Sequence, residues 1–484
     1  MLRDELIKEI SKAVGADVDI KLAEPERSEN GDYSTNVAFR VAGDPEAIAA
    51  ELRKSKLIKD VEVKNKFINI FLKDDVLIKE LGRELKCEKK NKKINVEFVS
   101  ANPTGPLTMA NGRGGFYGDA LSNILEKAGY SVTREYYIND AGNQVRLLGE
   151  SIQAAEGKIP DQENYYKGEY IKGLIGKSGK EAVEILLGRI KESLEKSGIK
   201  FNVWFSEGGL REKKEPEKVL KFLEEKKLIE KKDGAVWLGD AVLVKSDGEY
   251  TYFLVDLAYH WDKFIERKFD LGVNILGPDH HGYVERIRKG IEALGIEPER
   301  LRIIIMQLVR LISKGKEVKM SKRTGQFVTM DELLEQVGVD VARWFFLERS
   351  PNTHMDFDLD LAKEKSEKNP VYYVQYAHTR IAGILNKSDA KPGTLTKFSN
   401  FAERSLALKI LRFLELLEDI SKDYQVHRLT TYAYELAQTF SAFYRDVKVI
   451  GSDREAELLY LVSKTKETLA TVLKLLDISQ PEKM

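Results

Sequence analysis

Apolar and polar positions alternate in different ways along the chain, and the changes divide it into three parts. Leu2 to Val14 has helical spacing, with Leu2, Leu6, Ile7 and Ile10 on one side. Val61 to Leu72 (VEVKNKFINIFL) alternates and predicts a strand. Gly31 to Phe39 (GDYSTNVAF) between them reads as a polar turn before a helix from Asn36. Residues 1–86 are therefore expected to form a small α/β module. From 87 to about 366, short β-forming runs alternate with helical ones. Asn95 to Val99 predicts a strand, broken by Asn102-Pro103-Thr104-Gly105-Pro106. The dense glycines Gly112, Gly114, Gly115 and Gly118 then lead into a helix expected to begin near Gly115 and run to Gly129. Ser131 to Ile138 is the next strand, and this βαβ order predicts a parallel sheet. Residues 150–236 or so have mostly helical spacing and read as an insertion, with Arg211 to Lys232 a solvated, charge-rich face. The second half of the sheet resumes with Ala241 to His260, where Asp247-Gly248 marks a hairpin turn. A strand at Gly272–Leu276, a helix at Val284–Leu294 and a strand at Arg302–Met306 follow. Residues 367–484 are helical at Leu406–Leu417, Thr430–Tyr444 and Glu455–Leu476, with a loop at Pro392-Gly393, which predicts an α-helical bundle.

Composition narrows this picture. At 484 residues with 42% hydrophobic content, the chain can build about two to four cored domains. Its 78 basic and 78 acidic residues cancel, so any nucleic-acid partner must be held by local patches. The single cysteine, Cys87, excludes an internal disulfide and a Cys-built metal site. With no signal peptide and no apolar run of about 18 residues, a soluble cytoplasmic protein is expected. A charged fraction of 32%, rich in Lys and Glu, hints at a heat-adapted source.

Three stretches carry chemistry. Val96 to Gly118 reads as strand, tight loop and helix N-terminus, a geometry that offers backbone N–H groups to a phosphate. It contains neither GxGxxG nor GxxxxGK[ST], so an ordinary buried strand-turn-helix is the alternative. Asp279-His280-His281 resembles a metal ligand set, but neighbouring loop residues seldom chelate one ion and no further cluster is near, so no metal site is expected. Lys319-Met320-Ser321-Lys322-Arg323 follows a strand and an amphipathic stretch. Such lysines can fold over a triphosphate and neutralise the leaving phosphates; a bare lysine run is otherwise solvated surface. Residues 371–484 hold 16 Lys/Arg against 14 Asp/Glu, too even for a duplex-type electrostatic grip. Stacking of unpaired bases on Tyr432, Tyr434, Phe443 or Tyr444 remains open, as does their role as bundle core.

The run EFVSANPTGPL, from Glu97 to Leu107, resembles the first nucleotide-binding motif of class I aminoacyl-tRNA synthetases in its arginyl form. The KMSKR run resembles the class I KMSKS loop. YKGEY (Tyr166–Tyr170), FNVWFSE (Phe201–Glu207), GPDHHG (Gly277–Gly282), NPVYYVQYAHTRI (Asn369–Ile381) and the closing QPEKM follow in the family's order. The HIGH tetrad of the family would occupy Thr108, Met109, Ala110 and Asn111, so both histidines are missing. Thr108 and Asn111 can still donate to phosphate oxygens. Gly105 stands where some arginyl enzymes carry a lysine, which places this chain with those that use the KMSK loop.

The resemblance implies a Rossmann-like parallel-sheet catalytic domain at 87–366, preceded by a small appended tRNA-binding α/β domain and followed by an α-helical anticodon-binding bundle. It implies ATP, with Mg²⁺, held by Thr108, Asn111, Gly112, Gly114, Asp279, His280, Met320, Ser321 and Lys322. Lys319, Lys322, Thr108 and Asn111 would serve catalysis. L-Arginine would be held by Glu97, Ser100, Asn102 and His280, and its guanidinium by Glu207 and Asp256 with Tyr252 beside them. Asp256 also reads as an N-cap. Tyr432, Tyr444 and Met484 would touch tRNA(Arg), and activation would require bound tRNA. A monomer with no membrane partner and no resident metal is expected. The rivals are a class I synthetase for another amino acid, or a non-catalytic RNA-binding relative.

Overall fold

The structure is a computed structural model that describes residues 1–41, 43–318 and 328–484. The N-terminal unit packs helices Leu2–Val14 and Pro45–Leu52 on a four-stranded antiparallel sheet. Leu2, Leu6 and Ile10 are the buried face of the first helix, as the spacing predicts. The expected single strand over Val61–Leu72 is instead a hairpin, Ile58–Lys64 paired with Phe67–Leu72. Asn65 and Lys66 turn it with φ of 51° and 65°. Two successive positive φ values suit a two-residue hairpin, and no glycine marks this one in the sequence. A strand at Tyr33–Thr35 also lies inside the stretch read as a polar turn.

The central unit is a five-stranded parallel sheet. Its strands are β1 (Lys93–Glu97), β2 (Ser131–Ile138), β3 (Val203–Ser206), β4 (Leu271–Leu276) and β5 (Leu301–Ile305), in spatial order β5-β4-β1-β2-β3. Strand order reverses between β1 and β4, so a crevice opens beyond their carboxyl ends, where α/β sheets bind ligands. The parallel sheet matches the expectation, with one difference: β3 falls inside the stretch read as a helical insertion. Four residues of edge strand are too few to show a period against the flanking helices. The second strand expected after Asp247-Gly248 shrinks to a single bridge between Val244 and Tyr250.

Helix α1 spans Met109–Lys127 and starts six residues before the expected position. Its glycines are packing sites rather than turn residues. A Cβ on Gly118 would lie 2.2 Å from the Phe98 ring, and one on Gly115 would lie 2.8 Å from Ile199 Cδ1. The bare helix face thus settles directly on the end of β1. Two short helices complete the crevice, α2 (Glu207–Glu212) and α3 (Tyr252–Trp261), the latter running into a π-helical turn at Asp262–Glu266.

The C-terminal unit is helical, as expected: α4 (Pro370–Lys387), α5 (Phe401–Asp423), α6 (His427–Asp446) and α7 (Glu455–Leu475). Buried Arg343 ties it to the sheet unit by binding Asp119 of α1 at 2.8 Å and Asp477 at 2.9 Å. Arg404 of α5 holds Asp32 of the N-terminal unit at 2.6 and 2.8 Å.

The packing at Gly118 makes a signed prediction. Gly118→Ala should destabilise the fold by about 3 kcal/mol, because the ring it would strike is fully buried. Gly188→Ala, in a helix with nothing within 4 Å, should stabilise it by about 0.5–1 kcal/mol. Thermal unfolding followed by circular dichroism checks both signs.

Candidate active site

The chain leaves β1 through a strained bend. Val99 and Ser100 have φ of 64° and 37°, and the Ser100 N–H donates to the Phe98 carbonyl at 2.9 Å. Positive φ at a β-branched residue is costly and persists where neighbours enforce it. Here the Tyr137 N–H donates to Ser100 Oγ at 3.0 Å, and Ser100 Oγ contacts Glu97 Oε1 at 3.3 Å. Asn102 follows on the exposed rim of this loop.

Glu207 opens α2. Ser206 caps the helix, accepting from the Gly209 N–H at 2.9 Å, and Asp140 anchors it through the Gly208 N–H at 2.8 Å. The Glu207 carboxylate is almost wholly buried, 2% exposed. Tyr137 donates to its Oε2 at 3.0 Å, while Arg211 donates Nε and Nη2 to its Oε1 at 2.9 and 2.7 Å.

Asp256 lies in the middle of α3, not at its start. The cap is Thr251, whose hydroxyl accepts from the Leu254 N–H. The N-cap reading of Asp256 is therefore corrected: the helix begins one turn earlier. Tyr283 donates to Asp256 Oδ2 at 2.8 Å, and His260 Nδ1 lies 3.2 Å from Oδ1. Burial would raise this carboxyl, but His260, Tyr283 and Lys263 outweigh it and hold it below the ordinary aspartate value. Tyr252, four residues earlier, shares the helix and is largely exposed.

Tyr137, which donates to Glu207, has its phenol pushed up by burial and then by the charges of Glu207 and Asp256, with Glu97 adding to them. Glu97 is buried at the end of β1 and binds Lys263 Nζ at 2.6 Å. Lys263 is fully buried in the π-helical turn, 3.1 Å from Asn274 Oδ1 and 4.1 Å from the centre of the Tyr259 ring. Asn274 Nδ2 in turn lies 3.3 Å from His260 Nε2. A continuous polar chain, Asp256–His260–Asn274–Lys263–Glu97, thus runs under the crevice.

On the other side of the crevice, Thr108 and Asn111 cap α1. The Thr108 N–H and hydroxyl donate to Asn111 Oδ1 at 2.9 and 2.8 Å. That uses the Asn111 carbonyl oxygen and leaves its amide NH₂ as the group to offer a phosphate. Gly112 and Gly114 lie in the first turns, with Gly114 against Ile275 of β4. Asp279 and His280 sit on the exposed turn after β4, whose last residue is the Tyr283 that holds Asp256. Lys319, Met320, Ser321 and Lys322 lie outside the described residues. The next described residue, Val328, accepts the Met109 N–H at 3.2 Å, beside the start of α1.

In the bundle, Tyr432 is 4% exposed and donates to the Lys409 carbonyl at 2.8 Å, so it is core and not part of the surface expected to stack bases. Tyr444 and Met484 are exposed. The Arg380 guanidinium lies 4.8 Å from the Tyr376 ring and 5.6 Å from that of Tyr444. The C-terminal tail docks on α4, where Pro481 O accepts from Thr379 at 2.9 Å. Tyr137, His260, Lys263, Tyr283, Arg211, Tyr376 and Arg380 were not singled out from sequence. A lysine amid the apolar residues of YHWDKFI was the one visible signal among them. Among the described residues, no group of three or more His, Cys, Asp or Glu could hold a metal. No described helix is long and apolar enough to cross a membrane.

Comparison with known proteins shows the family and the fold. Three family models match in order: the arginyl tRNA synthetase N terminal domain over residues 1–72, the class I (R) tRNA synthetase catalytic domain over 74–169 and 161–383, and the DALR anticodon binding domain over 374–484. The arginine–tRNA ligase of Carboxydothermus hydrogenoformans is 42% identical over an alignment of 525 positions, covering 96% of this chain and 94% of that protein. That of Staphylococcus carnosus is 38% identical, covering 100% and 99%. The crystal structure of a putative arginyl tRNA synthetase from Campylobacter jejuni superposes with a TM-score of 0.77 at 32% identity, covering 85% of this chain and 98% of that one. Thermus thermophilus arginyl-tRNA synthetase shares the fold, with a TM-score of 0.83 at 22% identity over the full length of both.

The environment of Asp256 has a pH signature. Its folded pKa lies below the ordinary 3.8, so its contribution to stability is complete above that value and is lost as pH falls through the lower, folded one. Asp256→Asn removes this contribution. The variant should lose less stability than the parent on acidification below pH 3.8, read as the change in unfolding midpoint between neutral and acid buffer.

Proposed function

Because the chain belongs to the class I arginyl-tRNA synthetase family, as a ligase that uses ATP to join L-arginine to tRNA(Arg), we propose that Glu207 and Asp256 select the substrate guanidinium. The observation that carries this assignment is that the buried Glu207 carboxylate accepts from Tyr137, while Asp256, held by Tyr283 and His260, lies close enough to raise the same phenol by its charge. A guanidinium is planar, permanently charged and forked, and paired carboxylates match it. Tyr252 flanks them at the rim. Ser100, Asn102, Glu97 and His280 hold the α-ammonium and carboxylate end, close to the strained bend.

The arginine carboxylate oxygen attacks the α-phosphorus of ATP. A new P–O bond forms, the α–β anhydride breaks, and pyrophosphate leaves. The terminal ribose hydroxyl of the tRNA then attacks the activated carbonyl, AMP departs and the ester forms. No protein nucleophile is needed; positioning and charge stabilisation do the work. Asn111 and Thr108, the first turns of α1 at Gly112 and Gly114, and Asp279 with His280 hold the nucleotide. Lys319 and Lys322, with Met320 and Ser321, neutralise charge on the departing phosphates. Mg²⁺, bound with the triphosphate, would supply further charge neutralisation there. On the bundle, Tyr444, Met484 and the Tyr376–Arg380 pair offer faces on which unpaired anticodon bases stack, with Tyr432 supporting them from the core. The enzyme acts as a cytoplasmic monomer.

Aminoacylation with arginine and unfractionated tRNA tests the assignment. Asp256→Asn should cut arginine activation by about 100-fold and leave the KM for ATP near the parent value. Unchanged arginine dependence removes Asp256 from the pocket. Lys322→Ala should slow adenylate formation while arginine binding stays intact; pyrophosphate exchange at the parent rate contradicts the loop assignment.

A further inference from the structure

Glu207 already holds a guanidinium, that of Arg211. The two residues are one turn apart on α2, and Arg211 places both Nε and Nη2 on the same oxygen, Oε1, at 2.9 and 2.7 Å. Tyr137 takes Oε2. A carboxylate offers about four lone-pair sites, two per oxygen. Arg211 therefore fills Oε1, and Tyr137 fills half of Oε2. A substrate guanidinium cannot bridge the two oxygens in the bidentate manner while Arg211 stays. It also cannot approach closely without like-charge repulsion.

We propose that Arg211 is a specificity-determining residue: an internal competitor that occupies the substrate's guanidinium site and leaves when arginine enters. The inference rests on Glu207 being part of the arginine pocket. The exit is available, since the Arg211 side chain is one-third exposed while that of Glu207 is 3% exposed. The pair keeps a buried carboxylate from standing uncompensated before substrate arrives. Exchange of one guanidinium for another preserves the charge balance of the site. A neutral side chain gains nothing from Glu207, because it cannot replace the cation already there. Arginine affinity is then the intrinsic affinity reduced by the fraction of molecules in which Arg211 has swung away.

The test is a pair of substitutions in a steady-state aminoacylation assay of the full chain, with ATP and tRNA saturating. Arg211→Gln keeps the bulk and removes the charge; Arg211→Ala removes both, and thermal unfolding identifies which variants are folded. Either folded variant should lower the KM for arginine by about tenfold, with the KM for ATP unchanged. Glu207→Gln alone should raise the arginine KM, and in that background the Arg211 change should have no further effect on it. If Glu207→Gln raises the arginine KM but neither Arg211 variant lowers it, Arg211 does not compete and this inference is overturned while the pocket stands. If Glu207→Gln leaves the arginine KM unchanged, the pocket assignment itself fails and the inference falls with it. A fall in arginine KM that persists in the Glu207→Gln background also overturns it, because the effect would then not pass through Glu207.

Discussion

Buried carboxylates must have partners, and the crevice is organised around that constraint. Buried Glu207 and Glu97 and half-buried Asp256 all raise the Tyr137 phenol by their charge near the carboxyl ends of a parallel sheet, where three negative charges would repel. Removing the partner of a buried charge costs about 3–5 kcal/mol, so every one of them is supplied. Tyr137 and Arg211 serve Glu207, Tyr283 and His260 serve Asp256, and Lys263 serves Glu97. The substrate of a ligase for arginine is itself a forked cation, and the proposed site already holds one, that of Arg211.

Holding those groups in place falls to the junction of β1, α1 and α3. The strained bend at Val99 and Ser100 turns the chain out of the sheet just after Glu97. The glycine face of α1 lets the helix lie against Phe98, which brings its capped N-terminus to the rim of the same crevice. The π-helical turn after α3 aims Lys263 inward, and single π-helical turns recur at functional positions because they redirect side chains that a regular helix would leave outside. The proposed nucleotide and amino-acid ends thus flank the switch point.

The regular parts of this architecture were legible in the sequence. Leu2–Val14 and Ser131–Ile138 appear where periodicity places them, and the βαβ order entails the parallel sheet. The misses have physical causes. The hairpin at Asn65-Lys66 turns without glycine. The start of α1 was displaced because its glycines read as loop, whereas they serve close packing against Phe98 and Ile199. Edge strand β3 is only four residues long. For the site, Glu207 and Asp256 came from resemblance, and the structure gives each its own partners around the crevice. The partners that neutralise them come from β2, the turn after β4 and the next turns of α2 and α3. Such contacts arise from tertiary packing and leave no periodic trace. Tyr432 illustrates the same point from the other side: a ring at helical spacing became core, and its exposed neighbours carry the surface.

A structure of the enzyme with bound L-arginine tests the central claim most directly. The account places the substrate guanidinium within hydrogen-bond distance of both Glu207 and Asp256. A side chain lodged elsewhere in the crevice, facing neither carboxylate, would contradict it.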